Sequence, residues 1–578
     1  MNDKRQGMRL ILVAVTVALV WTGLGLRLAF LHLGDHEEKL ESVRRTHRHQ
    51  REVLVGRGRI FDRNEHLIAM DLGMKHVSVD PSLIQDRGGG AFIAHQLGRL
   101  LEVDPAMIFA KINRPGRKQE YVKKFVLEDS VQPIRAMGLH GVFFEDVSAR
   151  HYPRGPLMSH VIGFSNLEGY GSAGIELRYD RYLRGIPGFR VTEVDRRGRE
   201  VYSRRSIDIV PRHGADITLT IDGRIQHFTE RALDQAMEET GALGAWAIVQ
   251  HVRTGEILAM ASRPTFDPNH FRTATDEERR NRAVSMVFEP GSIFKVAVIA
   301  GVLNERLFRP SDIIFCENGR WMHAGKPLND FRPYGHLTVA DVLKKSSNIG
   351  TAKMALELGN RKVYDYLKNF GFGVPTGIGL PGEEAGILRH PSSWTALSLS
   401  RICMGHEVMV TGIQMVNMMT VLGNNGFLIR PRVVKRVVDA RGETIYEPDI
   451  EVLGRPISGA TARLMVKLLT RATEEGGTGR HARMDNYTVA GKTGTAEKVI
   501  DGRYSRNHNI ASFIGLVPAE RPELSILVVI DEPSTRTGGA AAAPVFRQIA
   551  EPSLRYLDIQ PIPRELAYRF GDEVPYFE

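Results

Sequence analysis

Three short motifs in the C-terminal half of this 578-residue chain combine residue types that could carry out acyl transfer. The first is Ser292 followed by Lys295, at the start of an apolar run that predicts an amphipathic helix. A serine hydroxyl is a weak nucleophile until a neighbouring base takes its proton. A lysine three residues further on would share its helical face, and burial could keep that amine neutral enough to act as the base.

The start of this helix would also point backbone N–H groups and a positive dipole end at an oxyanion. Alone, however, a serine and lysine at this spacing more often represent an N-cap serine beside an exposed lysine. The second motif, Ser346-Ser347-Asn348, offers a hydroxyl that could relay a proton and an amide that could hold a substrate carbonyl. A turn of this composition is also commonly a simple helix cap.

The third motif is Lys492-Thr493-Gly494-Thr495. Lysine and threonine on the edge of a strand could bind a carboxylate, and Gly494 would let a substrate backbone approach closely. A phosphate-binding loop is excluded, because Asn486 stands where that motif requires a glycine. The run from Tyr487 instead predicts a strand.

Taken together and in this order, the three motifs resemble those of the penicillin-recognising acyl-serine transferases. The resemblance extends from Arg57 to about Leu557 and is to class B penicillin-binding proteins, of the septal, cell-division branch. Further segments that carry it are 58–63, 150–153, 174–176, 183–188, 219–222, 254–260, 266–269, 371–373, 380–383 and 410–414, with 288–291 and 530–533 for the septal branch. Glu65 and His406-Glu407 depart from the family pattern at a turn and at a loop near the site.

The resemblance implies the role of each motif. Ser292 would attack the carbonyl between the two terminal D-alanines of a donor stem peptide, with Lys295 as the general base. Ser346 and Lys345 would relay the proton, and Asn348 would bind the donor peptide. Lys492 and Thr493 would bind the terminal carboxylate of the donor. The backbone N–H groups of Ser292 and Thr495, beside Gly494, would form the oxyanion hole. A serine ester needs no metal and no organic cofactor.

The resemblance also implies partners: a lipid II glycosyltransferase of the SEDS class, other division proteins, peptidoglycan stem peptides with an amine acceptor, and β-lactam antibiotics. Three alternatives stay open. An elongation-specific transpeptidase would differ in pathway, a β-lactamase would hydrolyse the acyl-enzyme, and a non-catalytic sensor or scaffold would have no use for a serine–lysine pair.

The N-terminus predicts a membrane anchor. Lys4, Arg5 and Arg9 precede an apolar run that continues to Leu31, long enough to span a bilayer once Arg27 snorkels. The basic residues should stay cytoplasmic, which puts the remainder outside the inner membrane. The run is too long for a signal peptide and lacks an obvious cleavage site.

Composition bounds the remaining possibilities. The formal net charge of +10 comes without basic runs interleaved with aromatics, so nucleic acid is not expected as a partner. Two cysteines, Cys316 and Cys403, could pair but need not, and do not form a zinc motif.

We predict an α+β multidomain fold. Its segments are a tail at 1–9, a transmembrane helix at 10–31, a non-catalytic pedestal domain at 32–213, a transpeptidase domain of antiparallel sheet and helical layers at 214–558, and an irregular tail at 559–578.

Overall fold

A computed structural model describes residues 2–33, 48–53, 55–194, 200–201, 207–500, 502–535 and 537–562. The predicted irregular tail lies outside these residues from 563 onward. The chain divides into two compact units, one of residues 1–55 with 185–213 and one of residues 56–184 with 214–578.

The first unit contains the N-terminal helix and a small sheet. Helix Asn2–Leu33 includes the stretch Gly7–Phe30, whose mean hydropathy of 2.0 makes it, within the described part of the chain, the one helix long and apolar enough to cross a membrane. It coincides with the predicted span at 10–31. The sheet has strand Gly188–Val194 paired antiparallel with Arg48–Val53, Glu200–Val201 and Ile207–Ile209.

In the second unit, a seven-stranded sheet joins early and late segments of the chain. Its order is Thr444–Tyr446, Val434–Val438, Asp216–Leu219, Ile60–Phe61, Leu67–Val79 and Glu120–Leu127, and Val142–His151 also pairs with Leu67–Val79. Four helices enclose a small apolar core beside it: Pro81–Arg87, Gly90–Leu101, Pro105–Ile112 and Glu128–Ala136. Because this sheet has strands on both sides of residue 213, the domain bounds given above stay a prediction.

A buried ionic network lies at one end of this sheet. Glu176, whose side chain has 0% exposure, accepts hydrogen bonds from Arg57 Nε and Arg150 Nε, each at 2.6 Å. Arg57 also reaches Asp180 at 2.6 Å, and Arg150 reaches Asp71 at 3.0 Å. Buried charges need such partners, because an unpaired ion away from water is strongly destabilising. The network therefore fixes several distant segments of the chain to one another.

The second sheet of this unit is the antiparallel sheet predicted for the transpeptidase domain. Its five strands, in spatial order, are Ile257–Arg263, Gly244–His251, Leu524–Asp531, Arg503–Val517 and Ala490–Ile500. Alternate side chains point to opposite faces of a strand. Accordingly, Trp246 and Ile248 enter the core on one face, while Ala247 and Val249 enter the core on the other.

Helices cover both faces of this sheet, as predicted. Gly223–Thr240 and Gly538–Tyr556 pack on one face, and Gly412–Gly423 packs on the other. One local prediction was wrong, because the third-motif strand begins at Ala490 rather than at Tyr487.

Shorter elements complete the unit around the site. The helices are Ser159–Ile162, Gly174–Arg178, Asp180–Leu183, Asp276–Arg279, Arg282–Ser285, Lys295–Asn304, Val339–Lys345, Asn348–Leu358, Asn360–Asn369, Ser398–Ile402 and Gly459–Thr470. Two-stranded pairs are Val287–Phe288 with Val410–Thr411, Ile313–Phe315 with His336–Thr338, Arg320–His323 with Lys326–Asn329, and Leu428–Ile429 with Val452–Gly454.

Candidate active site

The first motif lies on a tight turn at the entry to a buried helix. Gly291–Phe294 forms a 3-10 turn, and the α-helix begins only at Lys295, so the turn around Ser292 is tighter than the α-helical turn we predicted. Gly291 has φ +57°, and a Cβ there would meet the Thr495 carbonyl oxygen at 2.8 Å. Only glycine adopts such a conformation freely, so the turn can sit directly against the third motif. Ser292 itself is half-buried.

The lysine of the first motif is buried and makes its contacts with the second motif. Lys295 has 0% exposure. Its ammonium donates to the Ser346 carbonyl oxygen and to Asn348 Oδ1, each at 2.7 Å, and lies 3.3 Å from Ser346 Oγ. Burial lowers the pKa of Lys295 to about 8, and the nearby Asp330 charge opposes this shift. A lysine with this pKa is partly neutral near neutral pH, as a general base must be.

The second motif is a sharp turn between two helices. Ser346 ends helix Val339–Lys345 in the left-handed conformation, with φ +59°. Ser347 then caps helix Asn348–Leu358 by accepting from Gly350 N at 3.0 Å. The reversal turns the Ser346 hydroxyl and the Asn348 amide toward the first motif, as the Lys295 contacts show.

Asp330 holds this turn and is a residue that the sequence interpretation missed. Its carboxylate accepts from Ser347 Oγ at 2.6 Å, from Ile349 N at 3.1 Å and from Asn348 N. The neighbouring Asn329 carbonyl accepts from Asn348 Nδ2 at 2.8 Å. These contacts depend on the hairpin that ends at Asn329, so the spacing of residues in the sequence does not predict them.

The lysine of the third motif approaches the same hydroxyl from the sheet. Lys492 also has 0% exposure, and its ammonium donates to Ser346 Oγ at 2.8 Å and to the Thr493 carbonyl at 3.1 Å. Burial, with a further contribution from the charge of Lys295, lowers its pKa well below the usual range for lysine. The Ser346 hydroxyl is therefore bracketed by two buried amines.

The remaining predicted residues lie along the edge strand Ala490–Ile500. Thr493 is buried and donates its hydroxyl to Thr478 Oγ1 at 2.8 Å, while the exposed Thr495 accepts from Gly538 N at 3.2 Å. At Gly494, a Cβ would meet Ser512 Oγ at 2.3 Å and the Pro290 carbonyl oxygen at 3.1 Å. Glycine thus permits the strand to pack against the turn that carries the first motif.

Lys345 and the two cysteines take no direct part in these contacts. The Lys345 ammonium lies 5.5 Å from the centre of the Tyr334 ring, and its proton-relay role stays a prediction. Cys316 and Cys403 are both free and buried. Burial raises the pKa of the Cys403 thiol to about 12, so this thiol is uncharged beside Lys295.

A second feature that sequence reasoning missed connects the first motif with two neighbouring segments. The Glu289 carboxylate accepts from Glu407 N at 2.9 Å and from Tyr504 OH at 3.2 Å, and lies 2.9 Å from His406 Nδ1. The loop at 406–407, which departs from the family pattern, is thus fixed to the residue three positions before Ser292.

Two known domain families match this chain over most of its length. Residues 245–551 match the penicillin binding protein transpeptidase domain, and residues 52–219 match the penicillin-binding protein dimerisation domain. The chain is 34% identical over 516 residues to the probable peptidoglycan D,D-transpeptidase PenA of Neisseria meningitidis, covering 87% of this chain and 85% of the relative.

Two further relatives extend the comparison. The peptidoglycan D,D-transpeptidase FtsI of Escherichia coli is 32% identical over 517 residues, covering 88% of this chain and 85% of that protein. Penicillin binding protein 3 of Mycobacterium tuberculosis, solved in complex with aztreonam, superposes with a TM-score of 0.70 at 26% identity, covering 89% of this chain and 98% of that one.

Proposed function

The chain belongs to the penicillin-binding transpeptidase family, and from this membership we propose that it is a peptidoglycan D,D-transpeptidase that acts through an acyl-enzyme on Ser292. One observation carries the proposal. The Ser346 hydroxyl lies between two buried amines, 3.3 Å from the Lys295 ammonium and 2.8 Å from the Lys492 ammonium. Such an arrangement can pass a proton between a nucleophile and a leaving amine.

The reaction begins with the buried lysine. Lys295, when neutral, takes the proton of Ser292 as its oxygen attacks the carbonyl carbon between the two terminal D-alanines. Backbone N–H groups of Ser292 and Thr495 receive the developing oxyanion. The proton then passes through the Ser346 hydroxyl to the nitrogen of the departing D-alanine, which leaves an ester on Ser292. An amine of a neighbouring stem attacks that ester, restores the serine and completes the cross-link.

Substrate binding follows from the two remaining motifs. The Asn348 amide, fixed by Lys295 and by the Asn329 carbonyl, holds the donor peptide. Lys492 and Thr493 attract the terminal carboxylate of the donor. The Lys492 ammonium is buried among neutral groups and a second amine, so an incoming carboxylate would raise its pKa again and be bound tightly. Gly494 leaves room for the donor backbone along the edge strand.

The proposal is tested by the mass of the intact, full-length protein in detergent after a short incubation with benzylpenicillin. We expect a persistent adduct on the wild type and none on Ser292→Ala. The loss of the adduct within minutes as penicillin is consumed would instead indicate a β-lactamase. An equal adduct on both proteins would place the nucleophile elsewhere and refute the assignment.

We further propose a septal role at the inner membrane, with the N-terminus in the cytoplasm. The basic residues at Lys4, Arg5 and Arg9 precede the apolar helix, which favours this orientation. The resemblance of segments 288–291 and 530–533 to the cell-division branch favours septation over elongation, in partnership with a SEDS-type glycosyltransferase and other division proteins. Depletion in the native host discriminates the two pathways, because filaments with blocked septa support this proposal and rounded cells that still divide contradict it.

A further inference from the structure

A cavity of about 420 Å³ lies in the transpeptidase part of the chain, formed by elements that carry none of the three motifs. It is enclosed by the end of helix Asn360–Asn369, by helix Gly412–Gly423 and by the paired strands at 428–429 and 452–454. Phe370, Leu428 and Leu453 supply apolar wall. Its volume is within the range of small-molecule sites.

An unpaired amide lies in the floor of this cavity. Asn417 is only 3% exposed, and its Oδ1 accepts from the buried Gln250 Nε2 at 3.2 Å. Its Nδ2 group has no hydrogen-bond acceptor among the residues that the structure describes. Because Asn417 lines the cavity, this amide nitrogen can donate a hydrogen bond to a ligand that carries an acceptor atom.

Two cations without counter-ions stand at the same cavity. Within the described ranges, neither the Lys368 ammonium nor the Arg455 guanidinium has a hydrogen-bond or ion-pair partner. Arg455 is held by stacking on the Phe427 ring, with its guanidinium carbon 4.5 Å from the ring centre. Both side chains line the cavity. Their positive charge therefore has no balancing anion of its own there.

The charged groups beside the cavity are already engaged with other partners. Arg430 pairs with Glu451 at 2.6 Å. The Glu383 carboxylate accepts from Thr376 N and from Thr376 Oγ1, each at 2.6 Å, and from Gly377 N. These contacts leave Lys368 and Arg455 to set the preference of the cavity for a ligand.

We propose that this cavity is a second binding site, separate from the Ser292 site, for a small organic anion. The ligand has one carboxylate or phosphate group, bound by Lys368 and Arg455, and an apolar body against Phe370 and the two leucines, with an acceptor atom at Asn417. A stem-peptide carboxylate and an isoprenyl phosphate both have this chemistry, and the binding experiment distinguishes them.

The experiment is isothermal titration of the full-length protein in detergent, after saturation with benzylpenicillin so that the Ser292 site is blocked. One arm uses diacetyl-L-Lys-D-Ala-D-Ala, with its C-terminal amide as the neutral control. The other arm uses geranyl monophosphate, with geraniol as the neutral control. Each arm is repeated on Lys368→Met/Arg455→Met and on the matched surface variant Lys118→Met/Arg441→Met, whose residues are exposed and lie outside the cavity lining.

We expect one of the two anionic probes to bind. The double variant of Lys368 and Arg455 should weaken the binding of that probe at least tenfold, since each substitution removes a charge-assisted contact. The surface variant should bind like the wild type. Equal binding of the neutral control, unchanged binding by the Lys368 and Arg455 variant, or no binding of either anion would each overturn the proposal. The titration is repeated on Ser292→Ala without penicillin, where the loss of one binding equivalent on changing Lys368 and Arg455 supports this site whatever the acylation test shows.

Discussion

Neutralising Asp330 should change the pH dependence of acylation in a direction that the site geometry fixes. The charge of Asp330 raises the pKa of Lys295, in opposition to burial, which lowers it to about 8 in the native protein. Asp330→Asn removes this charge but keeps the size of the side chain. The pKa of Lys295 should therefore fall, and the neutral, basic form should be reached at lower pH.

The second consequence of this substitution is structural. Three hydrogen bonds hold the Ser-x-Asn turn to the carboxylate, from Ser347 Oγ, Asn348 N and Ile349 N. Exchange of charge-assisted for neutral hydrogen bonds weakens each by about 1 kcal/mol, or about 2–3 kcal/mol in total. Because Asn348 and Ser346 lie on this turn, the maximal acylation rate should fall by about tenfold to about a hundredfold.

The assay is the second-order rate of acylation by a fluorescent penicillin, measured on the full-length protein from about pH 6 to about pH 10. With a Lys295 pKa of about 8, the wild-type rate at pH 7 should be about one tenth of its plateau. Asp330→Asn should show a lower midpoint and a lower plateau, whereas the exposed Asp449→Asn should match the wild type. A midpoint that stays in place or moves to higher pH would refute the electrostatic reasoning.

Two other substitutions test the packing of the site and of the ionic network. Gly494→Ala should reduce the rate of penicillin acylation at least about a hundredfold, because the added Cβ would meet Ser512 Oγ at 2.3 Å. The matched control is Gly73→Ala, where an added Cβ meets nothing within 4 Å. Equal acylation rates in the two variants would contradict the expected clash. Glu176→Gln removes the carboxylate that pairs with two buried arginines and should destabilise the fold by about 3–5 kcal/mol. The thermal unfolding midpoint should therefore be lower than in the control variant Glu238→Gln. An unchanged midpoint would show that the network contributes little to stability.

The motifs predicted which residues lie together better than they predicted the local geometry. Their order and composition singled out Lys295, Ser346, Asn348 and Lys492, whose side chains are in contact in the structure, while the catalytic roles of these residues and of Ser292 stay a prediction. The architecture of an antiparallel sheet with helical layers was predicted correctly, although the strand predicted from Tyr487 begins at Ala490.

What the sequence could not predict depends on contacts between distant segments. Asp330 reaches the second motif only because a hairpin returns the chain to it, and Glu289 gathers residues 406–407 and 504 from separate parts of the chain. The 3-10 turn at Gly291–Phe294 is likewise set by close packing against the strand at Thr495. Local propensity carries no information about such partners.

The most direct test of the account is to trap the acyl group of a donor substrate rather than an inhibitor. The full-length protein would be mixed with an N-acyl-D-alanyl thioester and increasing amounts of a D-amino acid acceptor, followed by peptide mapping of the quenched protein. The account predicts an acyl group on Ser292 whose release accelerates with acceptor and yields the acceptor-linked product. An acyl group on another residue, or release only by hydrolysis whatever the acceptor concentration, would contradict a transpeptidase that acts through Ser292.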